Sequence, residues 1–225
     1  MQLDSSRVEG LYRHAPLRLD AQIPTGMQRS RYCERMPAEA TQEQGRIGVA
    51  QVQRWLEATT HLELPWNVYE TPEMCEVQHF GGAKFFDMSG QFLGKNKRLV
   101  YVENKNYTSD GGQYGQFQEF LAIAYSSTAK HIQNGLDRKA EFLWVTSHPF
   151  SLTRWSKLAT HTEVRKALND HPSFLGDEPI DDDLLRTVAD RIWVLVMNQR
   201  QVDISLTQEE LWQVLPILKR KASTL

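Results

Sequence analysis

Apolar positions recur at helical spacing from about Gly45 to Ala58: Ile47, Ala50, Val52, Trp55 and Leu56 fall mainly on one face and predict a helix. His61, Leu62, Pro65 and Pro72 then break the pattern. From Val77 to Tyr107 the period drops to two. "EVQHFGGAKFFDMSG" predicts a strand ending in a turn, and "QFLGKNK" a connector with Gly94, Lys95 and Asn96 as turn residues. "RLVYVENKNY" is then the return strand of a hairpin or meander. After the glycine-rich "TSDGGQYGQF", the stripe Phe117, Phe120, Leu121, Ala124 and Tyr125 predicts a second helix from about Gln113 to about Gln133. "KAEFLWVTSH" reads as a central strand and "RIWVLVMN" as another buried one. Between them "HTEVRKALND" and "DDDLLRTVADR" read as polar helices, with Asp181 to Asp183 at a start where the helix dipole favours acids. "TQEELWQVLPILKRK" closes as a helix, with Thr207 and Glu210 spaced as a capping box and Pro216 placed to kink or shorten it. Strands alternating with helices predict an α/β fold, a mixed central sheet covered on both faces.

Residues 1 to about 42 break this regularity. They are rich in Arg, Pro, Gln and Ser, and read as an extended N-terminal arm carrying Arg13, Arg18, Arg29, Arg31 and Arg35. Such an arm is either a solvated leader or a contact segment for nucleic acid or a partner protein. The remaining 43–225 reads as one domain. A hydrophobic fraction of 40% against 24% charged residues, over 225 residues, supports a folded core. The formal net charge of -2 gives no global positive field, leaving any anion binding to local patches or a bound metal. The 2 cysteines, Cys33 and Cys75, form neither a disulfide framework nor a zinc motif. With no apolar signal segment and no run near the roughly 20 residues of a membrane span, a cytoplasmic protein is expected.

Candidate chemistry concentrates in "RLVYVENKNY". Leu99, Val100, Tyr101 and Val102 open it as a buried strand, and Glu103 and Lys105 then project from one face, since residues two apart share a side. Asp87, read as the end of the preceding strand, can approach Glu103 if the two strands pair antiparallel. Two converging carboxylates repel unless a cation separates them, and oxygen ligands suit Mg²⁺ or Mn²⁺. A lysine alongside can orient or deprotonate water, or stabilise charge on a phosphate. Metal and lysine together suffice for phosphodiester hydrolysis.

Asp87 followed by Glu103-Asn104-Lys105 resembles the PD-(D/E)xK nuclease superfamily, the restriction-endonuclease-like phosphodiesterases. The resemblance covers about residues 43–147 and leaves 148–225 as a C-terminal helical and strand extension. It implies a core of helix, three-stranded meander, helix and strand. It implies that Asp87 and Glu103 bind Mg²⁺ or Mn²⁺, with the backbone carbonyl of Asn104 as a further ligand, and that Lys105 is the catalytic lysine. Gln116 stands where many members carry a glutamine facing the site, although the aromatic that follows in the family's Gln-x-x-x-Tyr pattern is Phe120 here; Gln118 and Tyr125 lie nearby. For the acid that some members place on the first helix, this chain offers Glu43, Gln44, Gln51, Gln53 and Glu57, a poor match. The implied activity is metal-dependent cleavage of nucleic acid, DNA before RNA, in restriction, repair, mobile elements or antiviral defence. A homodimer or a partner protein would help hold substrate.

Competing readings are a surface ion pair at a strand end, and a catalytically inactive nuclease fold used for binding or assembly. "GGAK" (Gly81 to Lys84) and "DGGQYGQ" match no phosphate-binding loop and read as flexible turns. His79, His148 and His161 form no metal spacing. Trp155, beside Arg154 and Lys157, is a possible base-stacking cluster, with a solvated loop the stronger reading.

Overall fold

The computed structural model describes residues 38–93, 97–107, 109 and 111–217. The predicted arm, apart from its last residues, and the turn residues Gly94, Lys95 and Asn96 lie outside them, as does Cys33.

The first helix, α1, spans Ala38–Thr59, beginning earlier than its apolar stripe suggested. It is followed by β1 (Leu62–Asn67), a single helical turn α2 (Pro72–Cys75), and the short strands β2 (Glu76–His79) and β3 (Gly82–Phe85). Next come β4 (Met88–Phe92), β5 (Leu99–Lys105), α3 (Gln113–Gln133) and β6 (Glu141–Thr146). The chain continues through α4 (His161–Asp170), α5 (Asp182–Ala189), β7 (Ile192–Val196), α6 (Gln199–Asp203) and α7 (Gln208–Val214). Five strands form one mixed sheet in the order β1-β4-β5-β6-β7, antiparallel from β1 to β5 and parallel from β5 to β7. β2 and β3 form a separate antiparallel hairpin.

Helices cover both faces of the sheet, as the alternating pattern required. On one face Tyr101, Phe142 and Trp144 pack with Phe117, Phe120 and Leu121 of α3 and with residues of α4 and α5. On the other, Val100, Val102, Leu143 and Val145 pack against Val49, Val52 and Leu56 of α1 and Val202 of α6. All six residues of β6 are buried, as expected of the central strand of an apolar run. β7 is an edge strand whose Trp193 is exposed, less buried than its sequence suggested. The capping box at Thr207 and Glu210 is present, and α7 stops at Val214, before Pro216.

Two strands depart from the expected pattern for identifiable reasons. β1 carries Pro65 and reads as a break, yet Pro is tolerated at a sheet edge and at a bulge, and β1 has both. Its register with β4 shifts between Glu63 and Trp66. The bulge turns Leu64 out of the ladder, and α1 satisfies it: Leu64 N–H donates to Glu57 Oε1 at 2.8 Å, and Gln53 Nε2 donates to the Leu64 carbonyl at 2.7 Å. β4, "MSGQF", contains Ser89 and Gly90 and reads as a turn and connector. Gly90 is there because the β1 bulge leans onto it: a Cβ at this position would overlap the Glu63 carbonyl oxygen and lie 2.8 Å from Leu64 Cα. The segment expected to form one strand ending at Asp87 is instead the β2–β3 hairpin. Asp87 therefore opens β4 rather than closing the strand before it.

Gly90→Ala should accordingly destabilise the protein by about 2–3 kcal/mol, the usual cost of overpacking against atoms that cannot retreat. Urea unfolding of the variant checks this; a change within ~0.5 kcal/mol would show that the bulge does not press on Gly90.

Candidate active site

β4 and β5 pair with Met88 opposite Val102, which sets Asp87 beside Glu103 on the face covered by α3. The convergence expected from the spacing is present, although Asp87 reaches it from a strand start. Asp87 Oδ2 accepts the backbone N–H of Asn104 at 2.7 Å, tying the acid to the strand that carries Glu103. Glu103 is 4% exposed, and its two oxygens are treated very differently. Oε1 receives Lys105 Nζ at 2.8 Å and Lys84 Nζ at 3.0 Å. Oε2 is buried and has no hydrogen-bond partner among the described residues.

Lys84 is the site residue that sequence reasoning missed. It sits on β3, in the hairpin inserted between β1 and β4, and "GGAK" reads only as a turn. The signal available was the strand alternation that follows Gly82, which places a long cation on a short strand just before Asp87.

The electrostatics follow from burial and like charge. Burial first, and the neighbouring Glu103 carboxylate second, push the Asp87 pKa up to about 6, against the pull of the Asn104 N–H and of Lys105 and Lys84. Burial alone would lower the Lys105 pKa, but the Glu103 carboxylate outweighs it, and the ammonium ends above its usual value. Lys105 is therefore held charged. Its Nζ also lies 5.8 Å from the Trp144 ring centre. Trp144 Nε1 donates to Gln113 Oε1, and Gln113 Nε2 donates to the His148 carbonyl, so the start of α3 is fastened to the end of β6 beside the site.

A cavity of about 80 Å³ opens over these groups, lined by Lys84, Glu103, Lys105, Gln116, Glu119 and Trp144 among others. Gln116 thus faces the site, as expected. Gln118 does not: it is buried and donates to Asp170 Oδ2 at 2.8 Å. Tyr125 accepts the Asp181 N–H and is likewise structural. Among the described side chains, the first helix supplies no acid to the site. Gln53 and Glu57 are taken by the β1 bulge, and Glu43 is exposed beside Arg46. The Asn104 side chain points to the opposite face, where Gln51 of α1 lines the same cavity. Trp155 packs against Phe150, and Arg154 is bound by the buried Glu163, so that cluster is part of the α4 packing.

The residues present fit a divalent cation. The donors are hard oxygens, and Glu103 Oε2 is a buried acceptor without a hydrogen-bond donor among the described residues. Among the described residues no group of three or more His, Cys, Asp or Glu side chains could hold a metal. Two carboxylates would need completion by a backbone carbonyl, water or phosphate oxygens, as Mg²⁺ commonly has.

No protein-family model and no curated protein matches the chain. Among solved structures, a Cap4 SAVED/CARF-domain receptor from Moraxella osloensis overlaps 78% of this chain and 36% of its own, at 14% identity and a TM-score of 0.33. A Cap4 SAVED/CARF-domain receptor from Acinetobacter baumannii, solved with the cyclic trinucleotide 3'3'3'-cAAA, overlaps 76% and 39%, at 13% identity and a TM-score of 0.31. The chain thus spans well under half the length of these structures. Overlaps at this level assign no function. Among the described residues no helix is long and apolar enough to cross a membrane.

Asp87→Asn should stabilise the metal-free protein. The amide oxygen can still accept the Asn104 N–H, while the repulsion with Glu103 is gone. Because the Asp87 pKa is higher folded than unfolded, the folded state holds the extra proton between about pH 4 and 6. Its contribution to stability is then present at low pH and lost as pH rises through about 6. In EDTA, the Tm advantage of Asp87→Asn should grow from pH 4 to pH 7, reaching about 2–4 °C for a gain of ~1 kcal/mol. A Tm at pH 7 below that of the wild type would contradict the repulsion.

Proposed function

We propose that the chain is a metal-dependent nuclease with a restriction-endonuclease-like core of the PD-(D/E)xK type, hydrolysing phosphodiester bonds in DNA. The observation that carries this reading is the asymmetric Glu103: one oxygen on two lysines, the other buried and unpartnered beside Asp87. The element order supports it too. α1, the β1-β4-β5 meander, α3 and the parallel β6 follow the order that the family's core requires.

In this reading Asp87 and Glu103, with the Asn104 carbonyl, hold Mg²⁺ or Mn²⁺. A cation bound there would supply a lowered water pKa and offset charge on the phosphate. Lys105 does the rest as a cation. Held charged by Glu103, it positions the attacking water and stabilises the negative charge that builds on the phosphoryl oxygens, rather than removing a proton. Gln116, on the facing helix, orients substrate or water across the cavity. The water gives up a proton to solvent as its oxygen bonds to phosphorus, the ester P–O bond breaks, and the leaving oxygen takes a proton from solvent. The resemblance places such an enzyme in restriction, repair, mobile elements or antiviral defence, acting as a homodimer or with a partner protein.

A second reading is favoured by Lys84. Two ammonium groups against two carboxylates balance the cluster without a metal, as expected of a nuclease fold that only binds or assembles. Cleavage separates the two. With Mg²⁺ or Mn²⁺, the protein should nick plasmid DNA, and Glu103→Ala and Lys105→Ala should each lower the rate by about 10²-fold or more. Matched RNA should be cut more slowly. Absence of metal-dependent cutting by the folded wild type on both substrates would leave the binding module.

A further inference from the structure

A second cavity, of about 230 Å³, lies on the other side of β5 from the carboxylates. The alternation of the strand builds both: Glu103 and Lys105 face the first, Asn104 and Asn106 the second. Its polar lining is dominated by carboxamides, Gln51 from α1, Asn104 and Asn106 from the end of β5, and Asn198 and Gln199 at the start of α6. Among the described residues no charged side chain lines it; the floor is apolar, from Val52, Val145 and Met197. Asn198 and Gln199 are partly engaged, since Asn198 Oδ1 accepts the Gln201 N–H and Gln199 Nε2 donates to Asp203. The carboxamides of Gln51 and Asn104, half-buried, and of Asn106, exposed, show no hydrogen bond to the described residues and open toward solvent.

Uncommitted carboxamides over an apolar floor suit a flat, uncharged ligand with a hydrogen-bonding edge. A carboxamide offers a donor and an acceptor side by side, the pattern by which Asn and Gln recognise base edges. The described lining holds no lysine or arginine to pair a phosphate, and the volume accommodates one base rather than a duplex. Asn104 links the two cavities, for its backbone N–H holds Asp87 while its side chain enters the second. We propose that this cavity binds a single unpaired nucleobase, on the face of β5 opposite the carboxylates. Its identification as the base of a polynucleotide rests on the nuclease reading; the cavity's preference for a neutral heteroaromatic ring does not. A nuclease that seats one base in this way cuts single-stranded or locally opened substrate, since a paired base cannot enter.

The test uses the four uncharged nucleosides, which cannot engage a phosphate site. Titrated into the full chain in EDTA, at least one should shift the side-chain amide NMR signals of Gln51, Asn104 and Asn106 saturably. Gln51→Ala and Asn106→Ala should each weaken that nucleoside about tenfold or more, whereas Lys105→Ala should not. Nucleoside binding without any DNA cleavage would uphold the base site and overturn the nuclease. Metal-dependent cleavage, with no nucleoside shifting these signals up to millimolar concentration, would overturn the base site and leave the nuclease standing.

Discussion

One carboxylate, nearly sealed from water, organises this molecule. Glu103 presents one oxygen to two ammonium groups, and its other oxygen has no hydrogen-bond donor among the described residues. Buried acids are expensive unless paired and hydrogen-bonded, so a half-satisfied one at the end of a central strand marks a place where stability was given up. Every element around it serves to hold that arrangement. The β4–β5 register sets Asp87 beside it, the β2–β3 hairpin delivers Lys84, and the Trp144–Gln113–His148 contacts fix α3 so that Gln116 overlooks the cavity.

That register depends in turn on features far from the charges. Gly90 lets β4 lie against the β1 bulge, and Gln53 and Glu57 of α1 take up the Leu64 backbone groups at that bulge. Two polar residues on α1 thus act on the site through the sheet rather than by touching it. The opposed faces of β5 divide the work: charge and cavity on the α3 side, neutral carboxamides on the α1 side.

Much of this was legible in the sequence. α3, β6, α4, α5 and the capping box of α7 follow from periodicity and end signals, because each buries one regular face. The approach of Asp87 to Glu103 and the outlook of Gln116 were legible from spacing. β1 and β4 were not, because Pro65 and the Ser89–Gly90 pair carry turn signals that a bulge and a close backbone approach override. Lys84 was hidden for a related reason. The hairpin that carries it packs outside the main sheet, and no short-range pattern indicates where such an insertion folds back. The carboxamide cavity joins four distant segments, a convergence that only tertiary structure creates.

The central claim is that Asp87 and Glu103 form a cation site kept in charge balance by Lys84 and Lys105. Diffraction from crystals soaked in Mn²⁺, recorded at a wavelength where manganese scatters anomalously, tests it directly. One anomalous peak is expected within coordination distance of both Asp87 and Glu103 Oε2, absent in Glu103→Gln crystals. Crystals with no peak at that position at millimolar Mn²⁺, and with both lysines still on Glu103, would contradict it.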